Sequence, residues 1–211
     1  MDTRSAISTL LLACMVAAPG AATAGSKARA PTASSKSTAA AQVNSSDESR
    51  VKRGYEIAPV PLNLNGRNPA LVGLGSYIVN AQAGCNDCHT WPTYAANGDP
   101  YRGQPKMVNV EHYMAGGRPF GPFRSRNITP DPASTMTEEE RYQEFVSVMH
   151  TGLDPDFAHP AFGPLLQVMP WSVYQDMTDR DLRAIFEYLQ AIPHAEPYCE
   201  GAHLSEAVCQ P

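Results

Sequence analysis

Residues 85 to 89 read Cys-Asn-Asp-Cys-His, two thiols three apart with an imidazole directly after the second. Four chemistries use such a group: a redox dithiol, half of a zinc site, a structural disulfide, or the covalent attachment of a haem. The rest of the chain has to separate them.

A thioredoxin-like dithiol belongs to a strand-helix context, and the surrounding sequence carries helical periodicity and loops without alternating strands. Zinc needs a second ligand pair, and no other C-x-x-C is present. A plain disulfide leaves His89 unexplained. A c-type haem needs two thiols to add across its two vinyl groups and a neighbouring imidazole to hold the iron from one face. C-x-x-C-H supplies all three within one turn of helix. We therefore read one covalent haem c, with Cys85 and Cys88 as the attachment points and His89 as the proximal iron ligand.

The opposite face of the iron calls for a thioether or a second imidazole. Of eight methionines, Met1 and Met15 fall in the N-terminal segment read below as an export signal, and Met149 has core spacing on a helix. Met107, Met114 and Met136 lie in or just after a long loop, and Met177 adjoins a helix cap. Met169 stands in "LLQVMPW" beside Pro170, which stiffens the loop and lowers the entropy of holding a sulfur in place. It is the expected distal ligand, with Met114, a histidine or an open position as the alternatives. In "FRSRNITPDP", Arg124 or Arg126 could neutralise a haem propionate, and Asn127 or Thr129 could donate a hydrogen bond to one. Trp91 and Trp171 follow the two ligand motifs and are expected to pack in the pocket.

Three helices must position these groups. One starts at Asn68-Pro69, carries Leu71, Leu74, Ile78 and Ala81 on one face, and runs into Cys85. A second opens with the capping box Thr137-Glu138-Glu139-Glu140, places Tyr142, Phe145, Val146 and Met149 on one side, and stops at Gly152. The third has Thr178 and Asp181 as its box and Leu182, Ile185, Phe186 and Leu189 on its apolar face. Residues 90–132 form a long Gly-, Pro- and Asn-rich stretch without a strand pattern, which a large apolar cofactor would give something to pack on. The expected fold class is all-α with long loops.

The apolar run from Ala6 to Ala18, with Ala22-Thr23-Ala24 before Gly25, reads as an export signal over residues 1–24, too short to span a bilayer. "LLAC" ending at Cys14 also resembles a lipobox, so a lipid on that cysteine is the other reading. Residues 25–53 are rich in Ser, Ala, Thr and Lys and are expected to be a flexible linker. They hold six Lys or Arg against two acids, net +4, whereas residues 54–211 hold nine against eighteen, net −9. An acidic folded part without a basic stripe argues against nucleic acid, and the basic linker leaves contact with anionic lipid open. Cys199 and Cys209 are expected to close a disulfide over the C-terminal tail in an oxidising compartment.

The stretches "GSYIVNAQAGCNDCHT", "GGRPFGPFRSRNITPDP" and "LLQVMPWSVYQDMTDRDLRAIFEYLQAIP" resemble monohaem, class I type cytochrome c domains. Such domains occur alone or in the cytochrome subunits that accompany bacterial quinoprotein and flavoprotein alcohol or sugar dehydrogenases. The likeness covers roughly Leu71 to Pro193, and it implies Met169 as distal ligand. It also implies a helical fold whose first and last helices cross near the haem edge, with Gly75, Tyr77 and Phe186 as contacts. Those subunits commonly carry several C-x-x-C-H motifs, and this chain has one.

The expected function is that of a periplasmic one-electron carrier between a dehydrogenase or cytochrome complex and a downstream acceptor, and not an enzyme. The alternatives are a fixed subunit of a membrane dehydrogenase or oxidase, and a peroxidase or gas sensor with an open sixth position.

Overall fold

The computed structural model describes residues 36–154 and 158–198, so the export signal, the Cys14 lipobox, the Cys199–Cys209 bridge and His203 lie outside the described residues. Among the described residues, six α-helices run in chain order: α1 (Lys36–Ile57), α2 (Pro69–Tyr77), α3 (Cys85–His89), α4 (Glu138–Thr151), α5 (Trp171–Tyr174) and α6 (Asp179–Ala191). A π-helical turn, Ile78–Gln82, continues α2 towards α3. The expected all-α class with long loops holds. Among the described residues, the only paired strands are the two-residue β1 (Pro119–Phe120) and β2 (Phe123–Arg124), an antiparallel hairpin.

Local chemistry starts α2, α4 and α6 where the sequence indicated. Asn68 accepts from the amides of Ala70 and Leu71 and is followed by Pro69. Thr137 and Glu140 form a reciprocal capping box, with the Thr137 amide donating to Glu140 at 2.7 Å. Thr178 accepts from Asp181 N–H at 3.2 Å. Each cap satisfies donors that the first turn leaves without helical partners.

The core forms where α2 crosses α6. Val72 and Leu74 of α2, Val79 of the π turn, and Leu182, Ala184 and Tyr188 of α6 are all completely buried. The crossing is close because Gly75 has no side chain. A Cβ there would come within 1.9 Å of Ala184 O and 2.8 Å of Tyr188 Cβ. Gly75 is thus at the interhelical contact, as expected, but Phe186 is not its partner. The Phe186 ring lies 5.2 Å from Tyr142 and 5.9 Å from Phe145, which joins α6 to α4.

Two other expectations change. The long stretch 90–132 contributes peptide core of its own, with Tyr113, Met114 and Ala115 buried against the helices. Tyr113 O–H donates to Asn80 Oδ1 at 2.6 Å and meets Tyr188 Oη at 2.9 Å, while Asn80 Nδ2 donates to Tyr188 Oη at 3.1 Å. Buried hydroxyls require such partners. Second, the segment expected to be a flexible linker to Arg53 is helical from Lys36, and the expected boundary falls inside α1. Val51 packs on the core. Asp47 forms ion pairs with Arg50 in its own helix and Arg180 in α6, and the Ser76 hydroxyl donates to Gly54 O at 2.7 Å. These tertiary contacts supply what composition lacks.

Candidate functional site

α3 consists of the five motif residues alone, entered through Gly84 in the left-handed region at φ 64°. Cys85 and Cys88 are free thiols and stand one helical turn apart. Burial pushes the Cys85 thiol up to about 12, and the neighbouring Cys88 and Asp87 add to it. Burial also raises Cys88, against the opposing pull of Arg118. Both thiols are therefore protonated at neutral pH. That is the reverse of a reactive dithiol, whose thiolate is stabilised. No group of three or more His, Cys, Asp or Glu placed to hold a metal exists among the described residues.

His89 has a defined orientation. Its Nδ1 lies 2.8 Å from Arg126 O. A carbonyl only accepts, so Nδ1 carries the proton and Nε2 keeps its lone pair. Burial holds the imidazole below its usual value, against the raising effect of that hydrogen bond, and so keeps it neutral. A neutral ring anchored through one nitrogen and presenting the other is the form that ligates a metal.

Gly116 makes this anchor possible. At φ 75° it occupies the left-handed region, its N–H donates to His89 O at 2.8 Å, and a Cβ there would fall 2.4 Å from the carbon and oxygen of the Arg126 carbonyl. Arg118 adds a second brace. Its guanidinium donates to Asp87 O inside α3 and to Thr93 Oγ1 at 3.2 Å, and lies over the rings of Trp91 and Phe120. Neither residue was identified from sequence. The Gly-Gly pair at 116–117 signals a turn but not its partner, and Arg118 acts across contacts far apart in the chain.

Two ties bring the Met169 loop to this half of the molecule. Tyr174 O–H donates to Ala83 O at 2.9 Å, two residues before Cys85. The Arg126 guanidinium pairs with buried Asp154 at 2.5 Å, and Asp154 N–H donates to Pro164 O. Met169 is half-buried and its carbonyl accepts from Trp171 N–H at 2.8 Å. Trp171 rests on Gly152, where a Cβ would lie 2.5 Å from the indole, and Nε1 donates to Leu166 O at 3.3 Å. Of the other loop methionines, Met107 and Met136 are exposed, whereas Met114 is completely buried in the peptide core.

Asn127 and Thr129 point their hydrogen bonds elsewhere. Asn127 Nδ2 donates to Ala195 O at 2.9 Å, and Asn127 Oδ1 accepts from the Thr129 hydroxyl at 2.7 Å. Together they fasten the segment after α6. His194 joins them through Pro130 O and Glu196.

The residues fit a large apolar prosthetic group on two further observations. Leu153, Phe162, Leu165, Val168 and Val173, which flank Met169 in the chain, are 40–70% exposed, large apolar side chains that the polypeptide itself leaves in water. In addition, Nε2 of His150, in the last turn of α4, is sealed from solvent and has no hydrogen-bond partner among the described residues.

Comparison with known proteins agrees. Over 139 residues the chain is 30% identical to a subunit of nicotinate dehydrogenase from Pseudomonas putida, covering 64% of this chain and 10% of that protein. It is 25% identical over 151 residues to the cytochrome c subunit of alcohol dehydrogenase (quinone) from Gluconobacter oxydans, covering 66% of this chain and 27% of the relative. It is 26% identical over 146 residues to the corresponding subunit of Komagataeibacter europaeus, covering 67% and 28%. The chain therefore spans less than a third of each of these relatives. No protein-family model matches it, and no solved structure does. The chain is a distant homologue of cytochrome c subunits of quinone alcohol dehydrogenases and of this nicotinate dehydrogenase subunit. Its mostly helical fold with long loops is in keeping with a cytochrome c domain.

Proposed function

We propose that this protein is a one-electron carrier holding a single covalent haem c, with Cys85 and Cys88 as thioether attachment points and His89 Nε2 as the proximal iron ligand. Met169 is the distal ligand in this reading, Trp171 packs beside it, and Arg126, already paired with Asp154, also serves a propionate. Asn127 and Thr129 are assigned to holding residues 194–195 instead. Bound here, haem c supplies a reversible one-electron couple. The protein's part is to fix the imidazole through Arg126 O, to cover the ring with apolar side chains, and to set access for partners.

The observation that carries the reading is the His89 Nδ1–Arg126 O hydrogen bond at 2.8 Å on the same five-residue helix as two free thiols. Relatives that are subunits of dehydrogenases make a dehydrogenase the natural donor, either as a transient partner or as a complex in which this chain is a fixed subunit. Export to the periplasm belongs to the same proposal. Among the described residues, no helix is long and apolar enough to cross a membrane. The net negative folded part favours a partner with positive charge around its redox centre, and docking should weaken with salt.

The test is the mass, absorption spectrum and midpoint potential of the exported protein beside Met169→Ala. The wild type should carry one covalently bound haem. The variant should lose the weak long-wavelength iron–sulfur band, fall in potential and take up carbon monoxide when reduced. A wild type that itself takes up carbon monoxide quickly at neutral pH, with a potential indifferent to Met169, would replace this proposal with an open-site sensor or peroxidase.

A further inference from the structure

His150 is a half-buried residue that neither the fold nor the proposed iron ligation uses. Its Nε2 is sealed from solvent and has no partner among the described residues. Native interiors rarely leave such a nitrogen unpaired. Something other than a described residue completes this position.

Its place in the fold indicates what. His150 lies in the last turn of α4, next to Met149, which is buried, and two residues before Gly152, against which Trp171 packs. Gly152 O accepts from Leu166 N–H at 2.8 Å, so the helix end is laced to the loop that carries Met169. Four residues beyond His150, buried Asp154 pairs with Arg126, whose carbonyl anchors His89. The end of α4 therefore stands between the anchor of the proximal imidazole and the distal loop. The thioether edge of the ring is taken by Cys85 and Cys88 on α3, which leaves the propionate edge for another part of the pocket.

We infer that His150 Nε2–H donates a hydrogen bond to a haem propionate. This rests on the haem reading given above. Asp154 strengthens the assignment, because a carboxylate already occupies part of the Arg126 guanidinium and a propionate needs a donor besides that arginine. A donor on the propionate spreads its negative charge and so favours the reduced iron.

Three measurements on the holoprotein test it: midpoint potential, the propionate bending modes in resonance Raman, and the Nε2–H exchange rate of His150 in the reduced protein. His150→Phe, which keeps a ring and removes the donor, should lower the potential and shift the propionate modes. His150→Gln, which restores an N–H donor, should bring both back towards wild type. The wild-type Nε2 proton should exchange slowly. Equal potentials and Raman spectra in His150→Phe and wild type overturn the inference, as does an equal change in both variants, which would mark a purely structural role. If the phenylalanine variant does not fold, the exchange rate decides, and rapid exchange overturns it. A chain purified without covalent haem, seen directly in its mass, instead overturns the haem reading itself.

Discussion

Gly116→Ala tests the geometry that presents His89, and its size can be worked from the structure. A Cβ at 116 would lie 2.4 Å from the Arg126 carbonyl, about 1 Å short of ordinary van der Waals contact. If that carbonyl retreats by the same amount, the 2.8 Å hydrogen bond to His89 Nδ1 passes beyond hydrogen-bond range. Three costs accumulate: left-handed backbone for a residue with a Cβ, roughly 1–2 kcal/mol; a lost buried hydrogen bond, roughly 1 kcal/mol; and overpacking, roughly 1–3 kcal/mol where the neighbours cannot move aside. We expect a total of about 3–6 kcal/mol, which for a domain of this size is a fall in Tm of roughly 6–24 °C. Gly66→Ala is the matched control, since Gly66 has φ 73° and nothing within 4 Å of the added carbon, so it reports the backbone cost alone. Thermal unfolding followed by circular dichroism gives both numbers. In the haem-loaded protein, loss of the Nδ1–H···O=C bond makes the imidazole a weaker donor, so the midpoint potential should rise in Gly116→Ala and stay put in Gly66→Ala. Equal losses of stability in the two variants, with no change in potential, would refute the argument that Gly116 lets the Arg126 carbonyl reach His89.

Two further outcomes follow from groups away from the motif. Tyr113→Phe deprives Asn80 Oδ1 of its 2.6 Å donor and breaks the contact with Tyr188. It should cost about 1–3 kcal/mol in a denaturant titration with an unchanged slope, and a loss under about 0.5 kcal/mol would show the network to be dispensable. The His194 imidazole is raised above its usual value chiefly by its hydrogen bond to the Glu196 carboxylate, with help from Pro130 O and Asp131. A raised value means that this tie is fully present below the unfolded value near about 6.5 and fades as pH climbs through the folded one. It is a surface contact of under about 1 kcal/mol, so the reading is local. Protection of the Ala195 amide, corrected for base-catalysed exchange, should hold below about pH 6.5 and fall as pH climbs above it, and lose that dependence in His194→Gln; protection that stays constant as pH rises would contradict it.

What the sequence disclosed was the part written in short-range chemistry. The five motif residues, the caps at Asn68, Thr137 and Thr178, and the stop at Gly152 depend on neighbours within four positions, and all of them appear in the structure. What it concealed depends on partners distant in the chain. Arg118 was unremarkable until its guanidinium met Trp91 and Asp87. Tyr113 lay in a stretch without periodicity and turned out to be core, because Asn80 and Tyr188 satisfy its hydroxyl. The Asn127 amide meets Ala195 O, a partner far along the chain that no local pattern contains. The helix α1 escaped notice for a similar reason. Its Ser-, Ala- and Lys-rich sequence has little apolar content, and its helical state is supported by Val51 on the core and by the Asp47–Arg180 pair, neither of which a local pattern contains.

The α2–α6 crossing also bears on the order of events during folding. Its two helices are separated in sequence by the whole stretch from Tyr77 to Asp179, and closing a loop of about a hundred residues costs roughly 4 kcal/mol of chain entropy before any contact compensates. Pairings at such separation form slowly. α3 belongs to the interior of that loop, so Cys85 and Cys88 remain reachable in the nascent chain until the two helices meet, and thereafter are half-buried. On the proposed haem reading, attachment to both thiols competes kinetically with closure of the domain, and a variant that slows closure without weakening the final fold should mature to a higher yield.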